Sequence, residues 1–418
     1  MRQLKLLTIY YVFINFNLLG QVCGTDEYNK PFVEANPQKY EQIERDIQEY
    51  LNGPKIKSQS KIKIPVVFHI VWNDNSENIP DSVIHQQLER LNESFNARNA
   101  DTILLTDTLK RWIGNFNVEF ELAYLDPFGM PTSGITRTKT IISEFSYFGN
   151  GVKFDKTYGK NPWPTDRYLN IWVCDLYGGL LGYAQFPGGA SEIDGIVIDW
   201  QVTGNQVYDW SYSNREPYIG GRVLVHEVGH WLNLYHPWGN TGTCGDDFIP
   251  ETGTQIGPIY YSSGCPDTLI SSCPSQERVF VKHYMEYCGE KCMVTFTKNQ
   301  VARGLASLHT YRTFMVENYQ PRPIINEFND IQINPSFTRG RLYIEFPSYS
   351  GKIDIKIYDI RGRIIKHLTT YKRFEEIYLD NPSGVYIINI YHNQERVFNQ
   401  KIVVSPSSPY GGTYDDFR

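Results

Sequence analysis

Residues 225–236 read Val-His-Glu-Val-Gly-His-Trp-Leu-Asn-Leu-Tyr-His, and this stretch decides the fold. His226 and His230 lie four residues apart, so on a helix both imidazoles share one face and can reach a single metal ion. His236 can reach the same ion only if the chain turns sharply after the helix. Asn233 stands at the turn, and asparagine is the non-glycine residue that best tolerates the left-handed conformation. Three neutral imidazoles would leave one coordination position open, which is typical of a catalytic zinc site.

Glu227 supplies the second element of this chemistry. It is adjacent to a predicted ligand, so its carboxylate would lie beside the metal without binding it, where it can act as a general base. The alternative is an amphipathic helix that contains histidine and glutamate by chance. The third histidine argues against that alternative, because the longer pattern is far rarer than the two-histidine pattern alone.

A second motif follows at residues 283–288, which read His-Tyr-Met-Glu-Tyr-Cys. Metzincin proteases place a methionine in a tight turn beneath the three histidines, and Met285 resembles that Met-turn. Tyr287 stands where many metzincins carry a tyrosine near the metal, and its phenol could stabilise a developing oxyanion. The alternative is a methionine and a tyrosine that only pack in the core.

Residues 60–315 resemble the pappalysin family of metzincins over most of their length. The motifs that carry the resemblance are Arg222 to His236, Cys244-Gly245-Asp246-Asp247, Gly264-Cys265-Pro266, Tyr284-Met285-Glu286-Tyr287, Cys292-Met293, Pro65 to His69 and Leu169-Asn170-Ile171-Trp172. The resemblance implies an α+β, two-lobed zinc endopeptidase, usually with structural calcium. Its upper lobe would be a twisted mixed sheet with helices, its active-site helix would close that lobe from below, and its lower lobe would be irregular and tied by disulfides.

The resemblance also implies roles for residues of the lower lobe. It pairs Cys244 with Cys273 and Cys265 with Cys292. It suggests calcium near Asp246, Asp247 and Glu251, although Pro250 replaces one carboxylate of the usual acidic run. Lys291 precedes Cys292, so we expect it in the wall of the pocket beyond the scissile bond, where it would disfavour basic substrate side chains. The alternative is a lysine that points to solvent.

The amino terminus predicts a secretory signal peptide over residues 1–24. Arg2 and Lys5 precede a short apolar core, and we expect cleavage after Gly24, with Gly20 as the second choice. Beyond the leader, no apolar run is long enough to predict a transmembrane segment in the mature form. The net charge of -6 argues against nucleic acid as a partner.

Cleavage after Gly24 would remove Cys23 and leave six of the 7 cysteines. Beyond the two pairs that the resemblance implies, Cys174 and Cys288 would either pair with each other or stay as free buried thiols. Residues 25–60 resemble a propeptide, with an amphipathic helix predicted from Tyr40 to Leu51. With Cys23 removed, this segment contains no cysteine that could block zinc, so we expect no cysteine switch, and an aspartate or glutamate could substitute.

The catalytic domain is predicted over residues 61–320, with Gly182 to Phe186 as the edge strand that binds substrate antiparallel. A Pro-Arg-Pro sequence marks a linker at 321–330. Residues 331–405 predict a small all-β sandwich of short alternating strands, and 406–418 a flexible tail. Ile357 to Arg363, Ser383 to Tyr386 and Lys401 to Val404 resemble the C-terminal sorting domain of the type IX secretion system of Bacteroidota. A generic adhesive or carbohydrate-binding domain is the alternative.

These patterns together predict a secreted or cell-surface zinc endopeptidase that crosses the periplasm, acts on protein or peptide substrates and has the type IX secretion machinery as its partner. A thermolysin-like enzyme would use a downstream glutamate as third ligand, and His236 argues against it. The non-enzymatic alternative is a degenerate protease that only binds surfaces, which the intact His226, Glu227 and His230 disfavour.

Overall fold

A mixed sheet frames the N-terminal body in the computed structural model. The structure describes residues 23–53, 61–204, 218, 220–239, 244–261, 264–313, 315, 331–334, 337–338, 340–346, 352–379, 383–392 and 395–405. The strands of the sheet are β1 (Ile62–Trp72), β2 (Val118–Leu122), β3 (Ile135–Lys139), β4 (Leu169–Cys174), β5 (Gly182–Ala184) and β6 (Ile196–Asp199). Their order is β2-β1-β4-β6-β5, and β3 pairs with the second half of β1. The predicted edge strand from Gly182 to Phe186 corresponds to β5 within two residues.

The sheet is parallel except at the edge where a substrate was expected. β5 runs antiparallel to β6 and pairs with no other strand of the body. β4 is buried along its whole length, as expected for a parallel strand covered on both faces. The predicted edge strand is therefore present, and residues 23–29 occupy the backbone groups on its outer side.

Six α-helices accompany this sheet in the described part of the chain. They are α1 (Thr25–Ala35), α2 (Pro37–Asn52), α3 (Asp81–Phe95), α4 (Asp107–Lys110), α5 (Arg222–Trp231) and α6 (Lys298–Tyr311). Helices α3 and α5 pack on one face of the sheet in the main apolar core, and α6 begins with a capping box at Thr297 and Gln300. None of the described helices combines the length and apolar character that a membrane span needs.

The first two helices belong to the segment predicted as a propeptide. Helix α1 lies along β5, and α2 packs on α6 through Ile43, Ile47 and Ala306. The sequence predicted α2 but not α1. The buried residues of α1 are Thr25, Tyr28 and Asn29, and Phe32 packs beside Tyr28, so its apolar face is too short to be recognised in the sequence.

The region after α5 has little regular structure, with one hairpin of β7 (Thr268–Ile270) and β8 (Arg278–Phe280). Disulfides join Cys244 to Cys273 and Cys265 to Cys292, which confirms both implied pairs. Cys174 and Cys288 are free and buried, so of the two alternatives the structure shows two unpaired thiols.

The C-terminal part forms the predicted β-sandwich. Its strands are β9 (Gln332–Asn334), β10 (Phe337–Thr338), β11 (Arg341–Glu345), β12 (Ile353–Asp359), β13 (Ile364–Thr370), β14 (Phe374–Tyr378), β15 (Gly384–His392) and β16 (Glu395–Val404). One sheet has the order β10-β16-β15-β12-β13 and the other β14-β11-β9. Alternate residues such as Ile355, Ile357 and Ile388 fill the core between the sheets.

Several predicted segments lie outside the described residues. They are residues 1–22 of the leader, residues 54–60 between α2 and β1, the linker at 321–330 and the tail at 406–418.

Candidate active site

Helix α5 is anchored at both ends. At its start, the buried Glu290 carboxylate accepts hydrogen bonds from the backbone N–H groups of Arg222 (2.6 Å) and Val223 (3.1 Å), where a negative charge complements the helix dipole. At its end, Asn233 has a φ of 68°, which confirms the predicted left-handed turn. The Arg303 guanidinium donates to the Asn233 carbonyl at 2.9 Å and holds this turn in place.

The turn brings the three predicted histidines together. Their Nε2 atoms lie 2.9 Å apart for His226 and His230, 3.2 Å for His226 and His236, and 3.1 Å for His230 and His236. All three side chains are buried. Three nitrogens at about 2.0 Å from a tetrahedral zinc would lie roughly 3.3 Å apart, so the observed spacing suits that ion.

The hydrogen bonds of the two Nδ1 atoms show which nitrogen carries the proton in His226 and in His230. Nδ1 of His226 lies 2.7 Å from the Tyr284 carbonyl, and Nδ1 of His230 lies 2.7 Å from the Leu234 carbonyl. A carbonyl only accepts, so each Nδ1 carries the proton and each Nε2 presents a lone pair to the centre. Facing lone pairs at this distance repel unless a cation lies between them. The donor set therefore fits a metal ion.

A fourth potential ligand comes from the segment before α1. Cys23 is buried, and its Sγ lies with the three histidine nitrogens in one group whose atoms are all within 4.8 Å of one another. This thiol is available to block the metal if the leader is cleaved before Cys23, whereas the predicted cleavage after Gly24 would remove it.

Glu227 lies beside the histidines in a dry environment. Its Oε2 accepts a hydrogen bond from the Thr25 hydroxyl at 2.9 Å, and burial raises the pKa of its carboxyl to about 8. A bound dication would act in the opposite direction and favour the carboxylate. A Cβ at Gly182 would lie 3.0 Å from the Glu227 side chain, so the edge strand β5 approaches this carboxylate closely because Gly182 has no side chain.

Met285 and Tyr287 lie where the Met-turn resemblance suggests. Met285 is buried against α5, since a Cβ at Gly229 would meet the Met285 sulfur at 2.4 Å. The Tyr287 ring lies 4.9 Å from the ring of His236. Its hydroxyl donates to the Cys23 carbonyl at 3.1 Å, so the phenol reaches a carbonyl oxygen held next to the histidines.

A small cavity lies next to the histidines on the side of Tyr287. Its lining includes Tyr218, Glu227, Glu286 and Met293. Lys291 does not line it and is exposed at the surface. Its exposure favours the alternative of a lysine that points to solvent, and its role in specificity stays a prediction. The disulfide fixes the backbone at Cys292, but the preceding side chain turns to solvent. The acidic groups at this cavity are Glu227 and Glu286.

The three candidate calcium ligands do not converge. Asp247 is buried and accepts hydrogen bonds from the Thr252 hydroxyl and the Ile249 N–H, whereas Glu251 is bonded to Asn299. Asp246 accepts from the Phe248 N–H. Among the described residues, the only group of potential metal ligands is the one with the three histidines.

Sequence reasoning missed the contribution of residues 23–26. Asp26 binds Nδ1 of His236 at 2.8 Å through Oδ2, so it orients the third histidine as the carbonyls orient the other two. The sequence feature that could have indicated this role is Cys23, a lone cysteine just before the predicted propeptide. The predicted cleavage after Gly24 assigned Cys23 to the leader and so separated it from Asp26.

Comparisons with known proteins agree with this geometry. The profile of peptidase family M43, described as pregnancy-associated plasma protein-A, matches residues 153–309. The profile of the secretion system C-terminal sorting domain matches residues 332–405. An extracellular metalloprotease of Colletotrichum graminicola is 29% identical over 267 residues, which cover 62% of this chain and 80% of that protein.

Two solved structures from Tannerella forsythia extend the likeness. A promirolysin mutant is 36% identical with a TM-score of 0.63, and the match covers 71% of this chain and 97% of that one. Mature mirolysin in complex with a cleaved peptide is 42% identical with a TM-score of 0.57, and the match covers 62% and 97%. The expected family, fold and extracellular location are thereby confirmed. The chain belongs to the pappalysin family of metzincin zinc endopeptidases and carries a C-terminal type IX sorting domain.

Proposed function

We propose that His226, His230 and His236 hold the zinc ion of this endopeptidase and that Glu227 is its general base. The observation that carries the proposal is the convergence of three Nε2 lone pairs, with Nδ1 of each ring bound to a carbonyl or carboxylate oxygen. Bound there, zinc supplies Lewis-acid chemistry, which polarises a carbonyl and acidifies a water molecule near neutral pH.

Glu227 is placed to move the protons of peptide hydrolysis. Its Oε2 now accepts from Thr25, a residue of the predicted propeptide, so this oxygen becomes available when the segment leaves. The carboxylate can then take a proton from the attacking water and deliver it to the leaving amine. The buried surroundings strengthen both transfers because they exclude competing water.

Tyr287 has the geometry of an oxyanion donor. Its hydroxyl already donates to a peptide carbonyl next to the histidines, that of Cys23. A substrate carbonyl in the same position would receive the same hydrogen bond, which strengthens as negative charge develops on that oxygen.

The protein is synthesised in a latent form under this proposal. Cys23 would bind zinc as a thiolate at the position that water needs, while Thr25 occupies Glu227 and Asp26 binds His236. Latency of this kind requires signal cleavage before Cys23, and the alternative site after Gly20 satisfies that requirement. The lysines between α2 and β1, such as Lys55 and Lys57, suit a later cut that releases the segment.

Glu227→Gln tests the proposed base. The amide keeps the shape of the side chain but cannot accept the proton, so we expect kcat to fall by about 10²–10⁴ in the processed enzyme. Zinc content, measured by atomic absorption, should stay at the parental level. Glu192→Gln is the matched control, because Glu192 is an exposed glutamate that is not in the group of potential metal ligands. Cleavage by Glu227→Gln at the parental rate would assign the base to another residue.

His236→Ala tests the third ligand. Only two protein ligands would remain in the processed enzyme, so we expect zinc occupancy and activity to fall together. Titration with a chelator should show zinc lost at a lower chelator concentration than in the parent. Full zinc content and full activity would exclude His236 as a ligand.

Calcium binding near Asp246, Asp247 and Glu251 stays a prediction that the family suggests. The acidic side chains would have to exchange their present hydrogen-bond partners for the ion, since Glu251 now binds Asn299. Thermal melting with and without added Ca²⁺ tests the prediction, and an unchanged melting midpoint at millimolar Ca²⁺ would contradict it.

For export, we propose that the type IX secretion machinery recognises residues 331–405.

A further inference from the structure

The side chain of Tyr28 fills a pocket on the face of the sheet opposite α5. The ring packs 4.7 Å from the ring of Tyr183, in a cluster that includes Phe145, Trp172 and Leu180. Tyr28 is 4% exposed. The walls belong to the sheet and its loops, so the pocket does not depend on the predicted propeptide for its shape.

Two polar groups at the end of this pocket match the phenol of Tyr28. Its hydroxyl donates to the Asn150 side-chain oxygen at 2.7 Å and accepts from the Lys153 ammonium at 3.1 Å. Lys153 is fully buried, yet its Nζ is held independently by the Ile193 carbonyl at 2.7 Å. The same amine lies 5.2 Å from the centre of the Trp172 ring and 5.4 Å from that of Tyr183. The Lys153 donor therefore has a second partner that does not belong to the segment of Tyr28.

The pocket lies beside the strand to which a substrate would add. The segment of Cys23 runs parallel to β5 and donates from the Gly24 N–H to the Gly182 carbonyl at 2.9 Å. Thr25 and Asn29 then satisfy the backbone groups of Ala184 and Phe186. These are the groups that an extended peptide would use, so substrate and propeptide compete for one edge.

The geometry of an added strand directs alternate side chains into this pocket. Side chains of a β-strand point alternately to the two faces of the sheet. Tyr183 points to the face away from α5, where it contacts Tyr28. A substrate side chain on that face beside β5 would lie next to the same pocket. With an antiparallel substrate, residues before the scissile bond lie along β5 beyond Gly182, because Gly182 itself lies beside Glu227.

We propose that the pocket vacated by Tyr28 is a substrate subsite of the processed enzyme that selects tyrosine on the N-terminal side of the scissile bond. The inference rests on the peptidase function proposed above. Phenylalanine would fill the same apolar walls but would leave Lys153 and Asn150 without the phenol. Tyrosine should therefore be preferred over phenylalanine, and both over small residues.

The test is a peptide library with the zinc-loaded enzyme, prepared from the full chain by removal of the propeptide. Each of the four positions before the cut is varied in turn, and kcat/KM is measured. We expect one position at which tyrosine exceeds phenylalanine about fivefold, which is the effect of roughly one hydrogen bond, and exceeds alanine by more than tenfold. Cleavage with no tyrosine preference at any of the four positions would overturn the subsite while leaving the peptidase function intact. No cleavage of any peptide would contradict the proposed function itself.

Two variants assign the preference to these residues. Asn150→Gly suits the local backbone, whose φ is 56°, and removes only the acceptor. Lys153→Met keeps the length of the side chain and removes the donor. Each should reduce the tyrosine-to-phenylalanine ratio towards one. The exposed Lys156→Met in the same segment is the matched control and should keep the parental ratio. A ratio that persists in both Asn150→Gly and Lys153→Met would place the selectivity elsewhere and overturn the assignment.

Discussion

Residues 23–53, which we propose belong to the propeptide, and the C-terminal sandwich both contact the catalytic domain, but they do so in different ways. The propeptide places Cys23 at the histidines, Thr25 on Glu227 and Asp26 on His236. The sandwich contacts the domain through Arg373, which donates to the Tyr124 carbonyl at 3.0 Å, and through the ring of Tyr371 beside His85 at 5.0 Å. One attachment engages the reacting groups, and the other engages residues remote from them.

This difference in contacts matches a difference in the proposed roles, because one segment would regulate the protease and the other would direct its export. A segment that regulates a protease must be bound to its catalytic atoms, and it must later be released from them. A segment that directs export needs only its own fold, and the sandwich has a separate apolar core that includes Leu342, Ile355 and Ile388. Substitutions in the propeptide should therefore change latency, whereas substitutions at the sandwich contact should not change catalysis.

The largest effect on this comparison is expected from Cys23→Ala. Removal of the thiol opens the coordination position, while Thr25 and Asp26 keep the segment partly bound. We expect the unprocessed variant to cleave a short peptide on the order of 10–100 times faster than the unprocessed parent, which corresponds to about 1.4–2.7 kcal/mol of lost inhibitory binding. The initial rate is measured before any processing is visible on a gel.

Cys174→Ala is the matched control for this experiment. Cys174 is also a free buried thiol, but it lies in β4 and in the cluster on the far face of the sheet. Its replacement should leave latency unchanged. Equal latency in Cys23→Ala and the parent would show that the thiol does not hold the zymogen inactive.

A smaller effect on propeptide binding is expected at the ion pair between α2 and α6. Glu44 on α2 forms two hydrogen bonds with the Arg303 guanidinium, at 2.9 Å and 2.7 Å. Arg303 is almost fully buried, whereas Glu44 is partly exposed, so solvent screens the pair. Glu44→Gln should weaken the hold by about 1 kcal/mol, so the propeptide supplied as a separate chain should inhibit the processed enzyme about fivefold less tightly.

Glu41→Gln on the exposed face of the same helix serves as its control. Glu41 pairs only within α2, with Arg45, so its removal should not change inhibition. Identical inhibition constants for the Glu44→Gln and parental propeptides would mean that the ion pair contributes nothing to the hold.

The sequence predicted the zinc helix, the turn at Asn233 and the sandwich because each follows from local spacing. His226 and His230 are neighbours on one helix, and His236 is brought to them by a single left-handed residue. Both disulfides were implied by family resemblance and are present. These features depend on residues close in sequence or on a recurring motif.

The contacts of the propeptide could not be predicted in this way. Cys23 lies more than 200 residues from the histidines, and nothing in the spacing connects them. Helix α1 buries Thr25 and Asn29 through specific hydrogen bonds, and its apolar pair Tyr28 and Phe32 is too short a pattern to predict a helix. The direction of the Lys291 side chain could not be predicted either, because a position next to a disulfide determines the backbone but not the side chain.

The smallest effect is expected at the contact between the sandwich and the catalytic domain. Arg373 is 4% exposed, donates to the Tyr124 carbonyl and lies 5.6 Å from the centre of the Tyr124 ring. Arg373→Ala removes one charged hydrogen bond and a cation–π contact, so the free energy of unfolding should fall by about 1–2 kcal/mol. Tyr124 follows β2, which lies at the opposite edge of the sheet from β5, so kcat/KM of the processed enzyme should stay within about twofold of the parent. Thermal melting and peptide cleavage on the same preparation measure the two quantities together. A tenfold loss of kcat/KM with unchanged zinc content would show that the sandwich supports catalysis and would remove the distinction between the two attachments.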